Sequence, residues 1–247
     1  MTKLSRRVFL GSAPAAAAAA GVFGTLFSSA AEAAINWDDT YNVIVIGAGG
    51  AGLSAAVSAK EAGCKKVVVL EKMMFAGGNT IRAGGGFNAA IKADYEKAGI
   101  KDSPDLHAQQ TLAAGDGRGD PVLVHQLTEK APESVQWLKD HGVKFEDHIY
   151  QIYAGLYKRA RNPIGPRGGA YIKALLEVCK KEDIPILYNT RVVEIIREHQ
   201  LSGRVLGVKV EQKGGKTLYL RALNGVVAAA GGFAANDRLT AIHDPRM

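Results

Sequence analysis

Val43–Ala56 reads "VIVIGAGGAGLSAA": four β-branched residues run straight into glycine and alanine, a stretch without a reactive side chain. A short β-branched apolar run is the mark of a buried parallel strand, and Gly47, Gly49 and Gly52 follow it with G-x-G-x-x-G spacing. In that spacing the first glycine permits a tight turn and the second lets backbone approach a pyrophosphate. The third lets the following helix press on the strand. The helix start offers unpaired N–H groups and the positive end of its dipole, worth roughly 0.3–1 kcal/mol per favourable charge contact. Glu71 closes the next apolar run, "KKVVVLE", 19 residues past Gly52. A carboxylate there accepts hydrogen bonds from ribose hydroxyls and repels a 2′-phosphate. Residues 42–47, 50–62 and this second run therefore read as a βαβ unit that takes an adenine dinucleotide without a 2′-phosphate. An ordinary glycine turn in an α/β core is the competing reading.

The loop after Glu71 chooses between the dinucleotides. Met73–Ala90, "MMFAGGNTIRAGGGFNAA", is glycine-dense, lacks apolar periodicity and is long for a connection, which marks a functional loop. A nicotinamide-binding fold usually continues into further βαβ units. A second run of bare backbone suits a flavin and its ribityl chain, so the motif and its place point to FAD.

Further along, Val124, Leu127, Ala131, Val135 and Leu138 give an amphipathic helix from Pro121 to His141, kinked or restarted at Pro132 and ended by Gly142. Residues 169–181 repeat the pattern with Ile172, Leu175, Leu176 and Cys179. "PILYNTRVVEII" reads as two short extended pieces, "RVLGVKVEQKGGKTLYLRA" as a hairpin turning at Gly214 and Gly215, and "GVVAAAGGF" as a final strand. The fold class is α/β: a Rossmann-like FAD-binding domain with a parallel sheet and an inserted β-hairpin or meander. It reads as incomplete at the C-terminus, since "AANDRLTAIHDPRM" follows the last strand without a closing element.

The 247 residues, 47% hydrophobic, supply one sizeable core. In "MTKLSRRVFLG" a twin arginine, Arg6-Arg7, precedes Phe9, Leu10 and a soft Ala-rich run, the pattern of a twin-arginine export signal over residues 1–33. Cleavage after the "AEA" of Ala31–Ala33 leaves residues 34–247 as the FAD-binding domain, exported folded to the periplasm without stable membrane insertion. An uncleaved anchor is the alternative, disfavoured because an Ala/Gly-rich segment partitions weakly into lipid. Losing Lys3, Arg6, Arg7 and Glu32 takes the net charge from +7 to +5. No Lys/Arg block with interleaved aromatics remains, which excludes a nucleic-acid partner as a reading. Cys64 and Cys179 read as small core residues, although an oxidising compartment would let them pair. No Cys-x-x-Cys-His occurs, so these residues cannot attach a c-type haem.

Five segments, "NVIVIGAGGAGLSAAVSAKEAG", "VVVLEK", "AGGNTIRAGGGFNAA", "NTRVVEI" and "VVAAAGGFAAN", resemble in order the flavin-contacting segments of the fumarate reductase and succinate dehydrogenase flavoprotein family. The likeness is closest to its periplasmic flavocytochrome c-like branch. The resemblance implies that Gly47, Gly49, Gly50, Ala51 and Gly52 meet the pyrophosphate, and Glu71, with Lys72 beside it, the adenosine ribose. It places Gly78, Asn79 and Thr80 on the flavin side, Gly84 and Gly85 under the isoalloxazine, the Val193 backbone at adenine, and Ala230 and Gly231 in the last contacting segment. Where membrane-bound relatives carry a flavin-bonding histidine this chain has Asn79, so noncovalent FAD is expected.

By the same resemblance, reduced FAD passes a hydride to an electron-poor C=C bond of an unsaturated carboxylic acid while an arginine delivers the proton. A separate c-type cytochrome is the expected electron donor. The acid and the residues that grip substrate carboxylates belong to a later clamp domain with no counterpart among these residues, so the catalytic residues stay unassigned. The last segment reads Ala229-Ala230-Gly231-Gly232 where the family has "ATGG", and Arg82 replaces a smaller or different residue. A noncatalytic flavin-binding fragment and a ketosteroid dehydrogenase-like oxidoreductase of the same fold are the alternatives.

Other candidates read as structural. Lys158, Arg159, Arg161 and Arg167 in "YKRARNPIGPRGG" look like a solvated basic face, with steering of an anionic substrate as the alternative. The six histidines, His107, His125, His141, His148, His199 and His243, lack metal-ligand spacing and read as surface or helix-end residues. Asp116 reads as a turn residue and Asp120 as a helix cap.

Overall fold

The computed structural model describes residues 35–152, 157–200 and 202–243; the expected export signal lies outside them. The main sheet has six strands: β1 (Asp39–Ile46), β2 (Val67–Leu70), β6 (Ile186–Leu187), β7 (Thr190–His199), β8 (Ser202–Gln212) and β9 (Thr217–Ala228). Their order is β6-β2-β1-β9-β8-β7. The pairs β6/β2, β2/β1 and β1/β9 are parallel, while β9/β8 and β8/β7 are antiparallel. The expected meander is therefore an extension of the parallel sheet, turned at Gly214 and Gly215.

Alternation along the strands builds both faces of the core. Val45, Val67 and Val69 pack with Leu53, Ala56 and Val57 of helix α1 (Gly50–Glu61). The same cluster takes in Ile172, Leu175 and Cys179 of a later helix, Gly168–Lys181. Ile44, Val68 and Leu70 point the other way and join Val208, Val210 and Leu220. Each such fully buried Val or Leu contributes about 1.5–3 kcal/mol. Both cysteines are free, and burial pushes the Cys179 thiol up to about 11.

Between β2 and β6 the chain makes a second sheet of β3 (Phe87–Asn88), β4 (Tyr150–Gln151) and β5 (Lys158–Arg161), in the order β3-β5-β4. Here also lie helices α2 (Lys92–Lys97), α3 (Pro104–Ala114) and α4 (Pro121–Asp140); α5 (Gly168–Lys181) then returns the chain to the core. Ser103 and Asp120 cap α3 and α4, accepting from Leu106 N–H at 3.0 Å and Val122 N–H at 2.8 Å, each with proline at the first helical position. Asp116 turns with φ +52°.

Several expectations are corrected. The helix at Pro121 does not restart at Pro132 but continues as one element to Asp140, and its buried stripe is Thr128, Ala131, Val135 and Leu138, with Leu127 left 61% exposed. Residues 217–228 form one strand, because a slip opposite Tyr41 and Val43 absorbs the Asn224-Gly225 interruption. Arg159 and Arg161 belong to no solvated face: they are 5% and 4% exposed in β5, paired with Asp102 and Asp94. His107 is likewise buried, and burial, reinforced by Arg159, holds its ring below the ordinary histidine value.

Candidate nucleotide-binding site

β1, β2 and β9 end together. Gly47 N–H donates to Leu70 O at 2.8 Å and Ala229 N–H to Ile46 O at 3.0 Å. Gly47 takes φ +101°, and a Cβ there would sit 2.5 Å from Ala229 O. A Cβ on Gly52 would lie 1.9 Å from Gly47 O, so only hydrogen fits where α1 presses on the strand end. Gly49 caps α1 without a side chain, and no acid occupies the first turn. The positive end of the helix therefore meets no protein carboxylate of its own helix.

The second glycine loop folds back onto this turn. Gly77 N–H donates to Ala48 O at 2.8 Å, Gly49 bridges Gly77, and a Cβ on Gly78 would touch Gly49 Cα at 3.4 Å. Gly50 N–H donates to Thr80 Oγ1 at 3.1 Å. Asn79 O then accepts from Arg82 N–H at 3.2 Å, shaping a short 3₁₀ turn, Thr80–Arg82, that leads into Gly84 and Gly85. Gly85 is fixed by α5: its carbonyl accepts from the Tyr171 hydroxyl at 2.7 Å. Gly84 faces open space.

Glu71 is buried at the end of β2 and does more than its position promised. Oε2 accepts from Ala48 N–H and Oε1 from Met73 N–H, both at 2.8 Å. The carboxylate thus ties the glycine turn to the start of the second loop, and each oxygen keeps lone-pair capacity for a further donor. Its backbone is tied in turn to Leu187 O and Thr190 N–H, both at 2.9 Å. Val193 lies on β7 where the register slips between the Val192–Val210 and Glu194–Lys209 pairs, so the bulge takes its backbone out of the ladder.

The structure brings Gly47, Gly49, Gly50, Ala51, Gly52, Glu71, Gly78, Asn79 and Thr80 to one edge of the sheet, with Gly84 and Gly85 continuing along α5. Lys72, Ala230 and Gly231 are exposed at the rim. Sequence reasoning passed over Gly77, Gly168 and Tyr171; the doubled glycines in "AGGN" and "PRGG" were the available signal.

This arrangement fits a flavin dinucleotide: beside the Gly50–Thr80 bond, the first-turn amides of Ala51 and Gly52 at a helix start whose own cap residue has no side chain suit a diphosphate, and a buried carboxylate with spare acceptor capacity suits a ribose. The bulge frees backbone for an adenine edge, and the open side of Gly84 leaves room for a planar ring. Among the described residues, no group of three His, Cys, Asp or Glu is placed to hold a metal, and no helix is long and apolar enough to cross a membrane.

Residues 42–246 match the family described as FAD binding domain. The chain is 35% identical over 211 residues to a fumarate reductase (cytochrome) of Shewanella frigidimarina, covering 85% of this chain and 36% of that one. It is 32% identical over 251 residues to the acrylate reductase flavoprotein subunit of Shewanella woodyi, covering 99% and 49%. It is 33% identical over 210 residues to the urocanate reductase of Eggerthella lenta, covering 83% and 34%. The chain thus spans from about a third to a half of the length of these curated relatives. Among solved structures, the open conformation of a flavocytochrome c3 fumarate reductase superposes with a TM-score of 0.79 at 30% identity, over 86% of this chain and 37% of that one. A 3-ketosteroid-Δ4-(5α)-dehydrogenase from Rhodococcus jostii superposes at 0.77 and 28%, over 86% and 50%. The chain belongs to the FAD binding domain family, and its cofactor is FAD.

Proposed function

We propose that this chain is the FAD-carrying part of a reductase of fumarate-like α,β-unsaturated carboxylates. The observation that carries the reading is the junction of the two glycine loops beside Glu71, through the Gly49–Gly77 bridge and the Gly50–Thr80 bond, in a chain similar to fumarate, acrylate and urocanate reductases. FAD, when bound, supplies hydride transfer. The chain's own residues hold it: Gly49, Ala51 and Gly52 present amides to the diphosphate while Gly50 ties the turn to Thr80, Glu71 with Lys72 at the rim takes the ribose, and the Val193 backbone meets adenine. Gly78, Asn79 and Thr80 line the flavin side, Gly84 and Gly85 carry the ring, and Ala230 and Gly231 close the edge. The test is to express the chain, follow flavin absorbance near about 450 nm, and mix dithionite-reduced protein with fumarate, acrylate, methacrylate and urocanate. Reoxidation by at least one acid supports the reading. Reoxidation only by a 3-ketosteroid carrying a conjugated C=C, which can take up the hydride and a proton, would favour the second reading, which the Rhodococcus jostii superposition supports.

FAD is held without a covalent bond, because Asn79 offers no nucleophile to the flavin. Acid precipitation is expected to leave the yellow colour in the supernatant; colour in the pellet would refute it. Residues 1–33 act as a twin-arginine signal and 34–247 as the exported FAD-binding domain, delivered to the periplasm, where a separate cytochrome donates electrons. Fractionation of a tagged chain, with and without Arg6-Arg7→Lys-Lys, tests the address.

Glu71→Gln turns an amide N–H toward one of two backbone N–H groups that the carboxylate now satisfies. We expect the apo chain to lose about 1–3 kcal/mol, the usual penalty for an unsatisfied buried group. FAD affinity should fall about tenfold, or about 1.4 kcal/mol. Unchanged values in urea denaturation and flavin titration would remove Glu71 from the site.

A further inference from the structure

Arg167 occupies a backbone position that favours glycine. Gly169 N–H closes a turn onto Pro166 O at 2.9 Å, with Arg167 at φ +52°, ψ −125°. This is the first central position of a type II′ turn, where glycine dominates because a Cβ is strained there. The surrounding contacts show why the turn cannot relax. A Cβ on Gly168 would lie 1.9 Å from Thr80 O, Gly168 N–H donates to Ala83 O at 3.2 Å, and a Cβ on Gly85 would lie 2.8 Å from the Arg167 carbonyl carbon. Three residues of the second glycine loop thus pack on the Arg167–Gly168 step. Of the three consecutive glycines there, Gly85 faces Arg167 and Gly86 faces the Tyr150 hydroxyl, while Gly84 opens to free space. The Arg167 side chain is exposed, and among the described residues its guanidinium has no carboxylate within ion-pair distance.

We propose that Arg167 sets the reduction potential of the flavin: its guanidinium offsets the negative charge left on the ring when oxidised FAD takes up two electrons and one proton. The proposal rests on the reading that Gly84 and Gly85 carry the ring. A strained residue retained beside a cofactor loop is a sign of such a role. An unpaired cation whose backbone packs on the loop that carries the ring favours the charge that develops there.

The test is a dithionite titration of the FAD-loaded chain against a reference dye at neutral pH. Arg167→Gln is expected to lower the ratio of reduced to oxidised flavin at fixed potential about tenfold, which is 29.6 mV for two electrons. Arg167→Lys should keep most of the wild-type potential, and Arg82→Gln, the nearby comparator in the loop, should leave it unchanged. Arg167→Gly should lower the potential as Gln does while raising the melting temperature of the apo chain, since glycine enters the turn without strain. Wild-type potentials in Arg167→Gln and Arg167→Gly, or an equal drop in Arg82→Gln, would overturn the proposal alone. If Gly84→Val kept full FAD affinity, the placement of the ring would fail and the proposal with it.

Discussion

Gly52→Ala is expected to deprive the chain of its nucleotide and of much of its stability. The new methyl would sit 1.9 Å from Gly47 O. That carbonyl cannot retreat, because Gly47 is itself in a left-handed turn, bonded to Leu70 and pressed toward Ala229. Ordinary overpacking costs about 1–3 kcal/mol, occasionally more, when side chains can shift. Here two backbone segments must part, so we expect about 3 kcal/mol or more, a large share of the roughly 5–15 kcal/mol of a whole domain. Moving α1 off the strand end also pulls the amides of Ala51 and Gly52 away from the diphosphate and strains the Gly50–Thr80 bond. FAD affinity should fall at least about a hundredfold, or about 2.8 kcal/mol. Gly232→Ala is the control, since a Cβ there meets nothing within 4 Å. Urea unfolding and flavin titration of both variants read the result; wild-type behaviour of Gly52→Ala would mean that the helix start does not touch the turn.

This part of the molecule was legible from letters because its physics is local. Gly47, Gly49 and Gly52 do their work within six residues, and strand, turn and helix each leave a short-range signature. Glu71 was half legible: its place after β2 suggested a ribose ligand, but nothing in the sequence placed its carboxylate on Ala48 N–H, across 23 residues. The Gly50–Thr80 bond and the packing of Gly85 on Arg167 span 30 and 82 residues, and neither has a pattern that a single sequence displays. "KRAR" misled for a related reason. Local charge density describes a segment's solvation only when its partners are water, and here the partners, Asp94 and Asp102, lie 67 and 57 residues from the arginines they meet. The Thr128 stripe of α4 shows the same limit. Threonine is a weak apolar marker, so Leu127 drew the reading toward the exposed side.

Those buried pairs yield the second large effect. Arg159 donates to both oxygens of Asp102, from Nε at 3.0 Å and Nη2 at 2.8 Å, with the two side chains 5% and 1% exposed. Asp102→Ala leaves the guanidinium buried without its counter-ion, which costs about 3–5 kcal/mol in such settings. His107 beside it offers no relief, because burial and Arg159 favour its neutral ring. The damage reaches the cofactor loop: Arg159 O accepts from Ala89 N–H at 3.1 Å, and Ala89 directly follows the β3 strand that Gly84–Gly86 lead into. Flavin affinity should therefore drop in Asp102→Ala although no residue near the nucleotide has changed. The double variant Asp102→Leu, Arg159→Met removes both charges, and should recover most of the stability, since the desolvation cost disappears along with the attraction. If Asp102→Ala lost less than about 1 kcal/mol, the usual value of an exposed pair, the pair would have to be solvated, and the Lys92–Ala114 excursion would be held to β5 by the Arg161–Asp94 pair and its apolar contacts instead.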